Sequence, residues 1–342
     1  LALALMIAVA AMTTTSVLTD RIDRAMRIDA ASLLGGDLKL RGPRPTTADV
    51  LNLAEEFGLE ATETVEFPSV VGLGDQFELT GIKVVTDGYP LRGQLKIADS
   101  RAAVGYATSA IPLPGTAWAD PQLASKLNLS VGDVISVGES TLEVSHILVF
   151  EPDRGGSFVS LTPRLLMNRA DLDATQLIQP GSRVRYIALF AGERANEFES
   201  RLKPTLDISQ RLSGVVDGRP EVGGALTRAT TYLSLAGLLT VLLSGAAIAM
   251  TATRWAQDHI GDSALFRTFG LSGFESVRIF ATELAVLGLL ASGVGVVVGY
   301  LIQLLLVDTI AGMLTIALPS PSGYPAVLGF LTGFVILFGF AT

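Results

Sequence analysis

Few residues in this sequence have a type and spacing that could do covalent or metal chemistry. Cysteine is absent and there are two histidines, His146 and His259. Without thiols there is no disulfide framework, no Cys-ligated zinc and no Cys nucleophile. His146 lies in a strand-like run with no second His or Cys beside it, and His259 follows Asp258; neither arrangement makes a metal site. Ser157 follows Gly155-Gly156, but the G-x-S-x-G elbow of a serine hydrolase is missing. No G-x-x-x-x-G-K-[ST] run occurs, so these residues cradle no nucleotide phosphate. The glycines of Gly132-Asp133-Val134 and Gly138-Glu139-Ser140 read as turns between strands.

The informative residues lie in apolar surroundings. Gly293, Gly295 and Gly299 make a small-xxx-small face, which lets two helices approach where van der Waals packing must hold them together. Glu283 stands in the same apolar run, five residues after Arg278, and a carboxylate there must snorkel, pair or face a cavity. Between residues 254 and 278, Ile260, Leu265, Phe266 and Phe269 form a helical stripe that ends at Gly270, with a second helical start at Ser272. Such a helix either packs at the membrane surface or is the handle for a cytoplasmic partner, with Leu265 and Phe266 as apolar contacts and Arg267 as a charged one.

The elements that must position these residues are set by hydropathy. The chain has 342 residues, 17% of them charged against roughly 25% in ordinary globular proteins. Its mean hydropathy is +0.49. Residues 1–18 and 232–253 carry no charge, 279–307 only Glu283, and 309–342 none. Runs of about 20 apolar residues cross a bilayer core of about 30 Å, which excludes a purely soluble enzyme. Four spans are predicted, at about 1–18, 232–253, 279–307 and 325–342. The first and last read as cut, so the sequence reads as the N-terminal half of a longer chain. The net charge of −8, with no Lys/Arg block, excludes nucleic acid as a partner.

The 254–278 loop carries Arg254, Arg267 and Arg278, whereas 308–324 carries no Lys or Arg. The positive-inside rule then places 254–278 in the cytoplasm and 308–324 outside. Alternation puts 19–222 outside as a large domain, and 223–253 becomes a stalk running into the second span. Residues 19–34 extend the first span in the same way.

That domain reads as α+β. Thr46-Thr47-Ala48-Asp49 ahead of Val50, Leu51, Leu53, Ala54 and Phe57 predicts a helix stopped at Gly58. Residues 63–72 and 76–86 predict a hairpin around Gly74-Asp75. Asp120-Pro121 starts a short helix through Leu127. Strands are expected at 134–137, 141–150, 156–161 and 183–190, and helices at 163–169 and 194–202.

Two stretches carry a family likeness. One is Ala264-Leu265-Phe266-Arg267-Thr268-Phe269-Gly270-Leu271-Ser272, followed by Arg278, Glu283, Gly288, Gly293, Gly295 and Gly299. The other is Asp120-Pro121-Gln122-Leu123-Ala124 through Leu129-Ser130-Val131-Gly132-Asp133-Val134. Together they resemble the FtsX/MacB-type ABC transporter permeases, the membrane subunits of type VII transporters. The YbbP-like branch fits best, although Asp262-Ser263-Ala264-Leu265-Phe266-Arg267 lacks the Ile-Gly pair that many relatives carry there.

The resemblance implies a four-span bundle with a MacB-like periplasmic domain on helical stalks, in a bacterial inner membrane. It implies a separate cytoplasmic ABC ATPase, working as a dimer, that alone binds ATP and Mg. It implies mechanotransmission acting on hydrophobic or lipidic substrates, with membrane lipids as further partners. A non-transporting lever that activates a periplasmic hydrolase is the alternative. Leu265, Phe266, Arg267 and Gly270 would couple to the ATPase. Arg278, Glu283, Gly293, Gly295 and Gly299 would serve packing and coupling in the membrane.

Overall fold

The structure is a computed structural model describing residues 2–154, 162–215, 220–261, 272–311 and 318–324, together with 327, 330, 331 and 335. It divides into two compact units: Leu1–Arg27 with Ala225–Thr342, and Ile28–Gly224.

Among the described residues, three helices are long and apolar enough to cross a membrane, over Ala2–Leu34, Ser234–Trp255 and Gly273–Thr309. They belong to α1 (Ala2–Leu34), α5 (Pro220–Asp258) and α6 (Gly273–Ala311). At 1.5 Å per residue each complete helix exceeds the bilayer core. The expected fourth span at 325–342 lies almost wholly outside the described residues. Leu5, Ala8 and Val9 of α1 meet Ile248 of α5 and Ala291 of α6 in a small apolar core. At one end, the Trp255 and His259 rings lie 4.3 Å apart, and each meets the Phe280 ring edge-on at 5.9 Å. Ser272 and Glu275 form a reciprocal capping box that starts α6: the Ser272 N–H donates to Glu275 Oε2 at 2.8 Å, and the Glu275 N–H donates to Ser272 Oγ at 3.3 Å.

The second unit is built on eleven described strands: β1 (Leu38–Gly42), β2 (Glu60–Leu73), β3 (Gln76–Val85), β4 (Leu95–Ala98), β5 (Tyr106–Thr108), β6 (Thr116–Ala119), β7 (Val134–Val137), β8 (Ser140–Phe150), β9 (Arg164–Asn168), β10 (Arg185–Ala191) and β11 (Arg211–Gly214). They run in the order β11-β1-β10-β2-β3-β9-β6-β8-β4-β5, and β7 pairs with both β2 and β8. The pairings β2-β3-β9-β6-β8-β7 therefore close a ring. Among the described residues, only β3–β9 and β6–β8 are parallel. Residues alternating along these strands, such as Val65, Phe67, Ile82, Val84, Ile135, Val137, Leu165 and Met167, fill the ring. Leu123, Ala124 and Leu127, from α3 (Pro121–Lys126) and its C-cap, join them. Outside the ring, α2 (Ala48–Glu56) and α4 (Ala195–Leu202) cover β1, β10 and β11.

The predicted hairpin forms, with Gly74 at φ +57 in its turn. So do the helix closed by Gly58 at φ +69 and the Asp120 helix, whose carboxylate accepts from the Leu123 N–H at 2.7 Å. The predicted helix at 163–169 does not form: Arg164–Asn168 is strand β9. Its Leu165-Leu166-Met167 run favours a helix locally, but all three side chains are fully buried between β3 and β6, and that burial outweighs a few tenths of a kcal/mol of propensity. The predicted strand at 156–161 lies outside the described residues.

Candidate functional site

In the membrane unit, α6 presents Ser292, Gly295, Gly299 and Gln303 on one face, at positions i, i+3, i+7 and i+11. Gly295 and Gly299 lie against the backbone of α1. A Cβ on Gly295 would stand 2.7 Å from the Met6 carbonyl oxygen, and one on Gly299 would stand 2.5 Å from the Ala10 carbonyl oxygen. Thr14 Oγ1 lies 2.9 Å from the Gly299 carbonyl oxygen and 2.8 Å from that of Ala10, donating across the contact. Gly293 faces open space. Glu283 and Arg278 are exposed on α6, away from this contact. Leu265, Phe266, Arg267 and Gly270 lie outside the described residues, as do Ser157 and Ser263.

At the other end of α1, three side chains hold the segment 319–322. Arg21 Nε donates to the Pro319 carbonyl at 2.8 Å, Arg24 to that of Ser320 at 2.9 Å, and Ser322 Oγ to Asp20 Oδ2 at 2.7 Å.

The second unit holds a buried charged cluster that the sequence reading missed. Strand register sets it up. Arg185 on β10 stands opposite Glu66 on β2, and Glu66 opposite Lys83 on β3, so all three share one face of the sheet. Two chain segments bring the counter-charges: Glu151 and Asp153, just after β8, and Arg164 at the start of β9. Lys83 is fully buried; its ammonium donates to Glu151 Oε1 and to the Tyr89 hydroxyl, each at 2.8 Å, and to Asp153 Oδ1. Lys39 reaches Asp153 Oδ2 at 3.2 Å. Arg164 donates to Glu151 Oε2 at 2.9 Å and to Glu66 Oε1 at 3.3 Å.

Burial alone would push the Lys83 ammonium down, but Asp153, Glu151 and Glu66 outweigh it and hold its pKa above the usual value. Burial would raise the Asp153 carboxyl; Lys83 and Lys39 pull it well below the usual carboxylate range instead. Glu66 is lowered in the same way by Lys83 and Arg164, against its burial. Burial, then Asp153 and Glu151, hold the Tyr89 hydroxyl neutral far above its ordinary pKa. Lys83 is thus favoured as an ammonium whose donors go to Tyr89, Glu151 and Asp153, and the cluster serves as a frame that ties together Glu66, Asp153 and Arg164. A signal existed in the sequence: Lys83 is the one charge in Gly81-Ile82-Lys83-Val84-Val85, a run otherwise suited to a fully buried strand.

That frame forms one wall of a cleft of about 350 Å³ lined by Arg41, Glu66, Asp153, Arg154, Arg164 and Arg185 among others. Arg154 is itself braced by the cap residue of α3, donating to Asp120 Oδ2 at 2.7 Å.

No family model matches the chain. A curated relative does: the chain is 30% identical, over 341 residues and 98% of its length, to YbbP of Escherichia coli (strain K12), described as an uncharacterized ABC transporter permease. Over nearly its whole length, then, this chain is similar to an ABC transporter permease. The relationship runs through the helices of the membrane unit and the whole of the second unit, and the chain spans 41% of the relative's length. Among solved structures, the chain is similar to the extracellular domain of the noncanonic ABC-type transporter YknZ from Gram-positive bacteria. That match has a TM-score of 0.35 and 14% identity, covering 52% of this chain and 100% of the other. A likeness that slight leaves the architecture to be read from the strands described above.

Proposed function

We propose that this chain is part of the membrane subunit of an ABC transporter in a bacterial inner membrane. A separate cytoplasmic ATPase dimer supplies the energy of ATP hydrolysis, and ATP and Mg bind there. The observation that carries the reading is the 30% identity to an ABC transporter permease along 98% of the chain. Three long apolar helices support it. No phosphate-binding motif occurs in the sequence, so ATP-driven work requires a partner.

In this reading the 254–278 segment faces the cytoplasm and carries the coupling residues Leu265, Phe266, Arg267 and Gly270. The Ile28–Gly224 unit is extracytoplasmic, and α1 and α5 continue beyond the bilayer as its stalks. The hydrogen bonds that join Asp20, Arg21 and Arg24 to residues 319–322 support placing both segments on one side of the membrane. The close contact at Gly295 and Gly299 would pass motion of α6 to α1, and from there to the external unit, as mechanotransmission. The moved material would be hydrophobic or lipidic.

The test is purification of the full-length protein from its native membranes in a mild detergent. The expected result is a co-purifying subunit that carries G-x-x-x-x-G-K-[ST] and hydrolyses ATP. Recovery of the intact protein with no such subunit and no ATPase activity would overturn the reading.

A further inference from the structure

The cleft in the second unit carries more positive charge than its own frame needs. Six cationic side chains, Lys39, Arg41, Lys83, Arg154, Arg164 and Arg185, surround it or its wall, against four carboxylates, Glu66, Asp120, Glu151 and Asp153. The carboxylates are already committed. Asp153 accepts from Lys83 and Tyr89 on one oxygen and from Lys39 on the other. Glu151 is divided between Lys83 and Arg164, and Asp120 between Arg154 and the first turn of α3. Glu66 alone serves three cations: Arg164 at 3.3 Å, Arg185 at 3.6 Å and Lys83 at 3.7 Å.

Register adds a second observation. Arg41 on β1 is opposite Ile187, two residues from Arg185 on β10, so the two guanidiniums project from adjacent strands on the same face. Like charges so placed repel unless something anionic sits between them. Arg41 has no ion pair or hydrogen-bonding side-chain partner among the described residues, and Arg185 only the 3.6 Å contact. Both are exposed at the cleft. Its volume of about 350 Å³ lies in the range of roughly 300–1,000 Å³ of small-molecule sites.

We propose that this cleft binds a phosphate-class anion, held by Arg41 and Arg185 at the rim and by Arg154 and Arg164 at the wall. Guanidinium forks match the paired oxygens of phosphate, and a phosphomonoester carries between about −1.5 and −2 near neutral pH, matching the two uncompensated cations. The frame around Lys83 keeps Arg164 aimed while the rim arginines remain free to close on the ligand. The phosphate belongs either to the headgroup of an amphiphile or to the free ion.

The experiment uses the full chain, purified in an uncharged detergent with no ATPase present, so failure of the coupling reading leaves it interpretable. Binding of dioctanoyl phosphatidic acid, of inorganic phosphate and of dioctanoylglycerol is measured by titration calorimetry. The same titrations are run on Arg41→Gln, Arg185→Gln and the double variant, with melting curves to establish that each is folded. Phosphatidic acid is expected to bind the native chain, with affinity falling about tenfold for each arginine removed. Dioctanoylglycerol should give only a micelle background that no variant changes. Tighter binding of phosphatidic acid than of inorganic phosphate assigns the site to a headgroup; equal, variant-sensitive binding of both assigns it to the free ion. Binding that is absent, or that the double variant leaves unchanged, overturns the proposal. Arg41→Gln removes no ion pair, so it keeps the test open if the double variant does not fold.

Discussion

Lys83 shows at the scale of one residue how a charge survives inside a sheet. Its ammonium is compensated by Glu151 and Asp153 and bonded to Tyr89, so its removal would strand two buried carboxylates. Breaking such a pair from one side costs about 3–5 kcal/mol. Lys83→Met should therefore melt far below the native chain, whereas Lys96→Met, at an exposed position on β4, should melt like it. The same cluster sets a pH response. Asp153 and Glu66 have folded pKa values below their unfolded ones. Their stabilisation is present above the unfolded carboxylate range near pH 4 and is lost as pH falls below it. Lys83 and Tyr89 are raised, so their share is present below about pH 10 and lost above it. Melting temperature against pH should be flat between about pH 5 and 9 and fall on both sides; a maximum confined to neutral pH would contradict this assignment. Lys83 is visible in the sequence as an odd residue in an apolar run. Its partners are not, because Glu151 and Asp153 lie about 70 residues away and only the strand pairing brings them near.

At the scale of elements, the contact of α6 with α1 separates a packed glycine from a free one. A methyl at Gly299 would press on the Ala10 carbonyl, a backbone atom that cannot rotate aside. Gly299→Ala should cost about 1–3 kcal/mol, read as a lowered melting temperature in detergent. Gly293→Ala meets open space and should be neutral, or stabilising by up to about 1 kcal/mol through helix propensity. Equal melting of the two variants would show that the contact is not tight. In the second unit, Asp120→Ala removes both the cap of α3 and the brace of Arg154, and should cost on the order of 2 kcal/mol. The helix caps, the β2–β3 hairpin and the long apolar helices are legible because their signals are local. Strand β9 is not, since Leu165, Leu166 and Met167 suit a helix until β3 and β6 flank them. Strands β1, β4, β5, β6 and β11 escape for a related reason: each has five residues or fewer and takes its identity from its neighbours.

At the scale of the whole molecule, the account rests on sidedness and on coupling. Single cysteines can be read against a native chain that has none. In intact cells an impermeant thiol reagent should label Ser130→Cys, which is exposed in the second unit, and should spare Ser263→Cys; the reverse pattern would invert the topology. The central claim is that this chain converts ATP hydrolysis by a partner into motion, and it is tested most directly at Leu265 and Phe266. Replacing both with Asp in the full-length protein leaves every apolar span intact while adding charge to the stripe proposed to seat in the ATPase, where such anchors contribute about 2 kcal/mol or more each. The measurement is ATPase activity of the co-purified complex in a membrane mimetic. The account predicts that the double variant inserts normally but loses both the bound ATPase and its stimulated activity. A double variant that retains the ATPase at native stoichiometry and with native stimulation would contradict it.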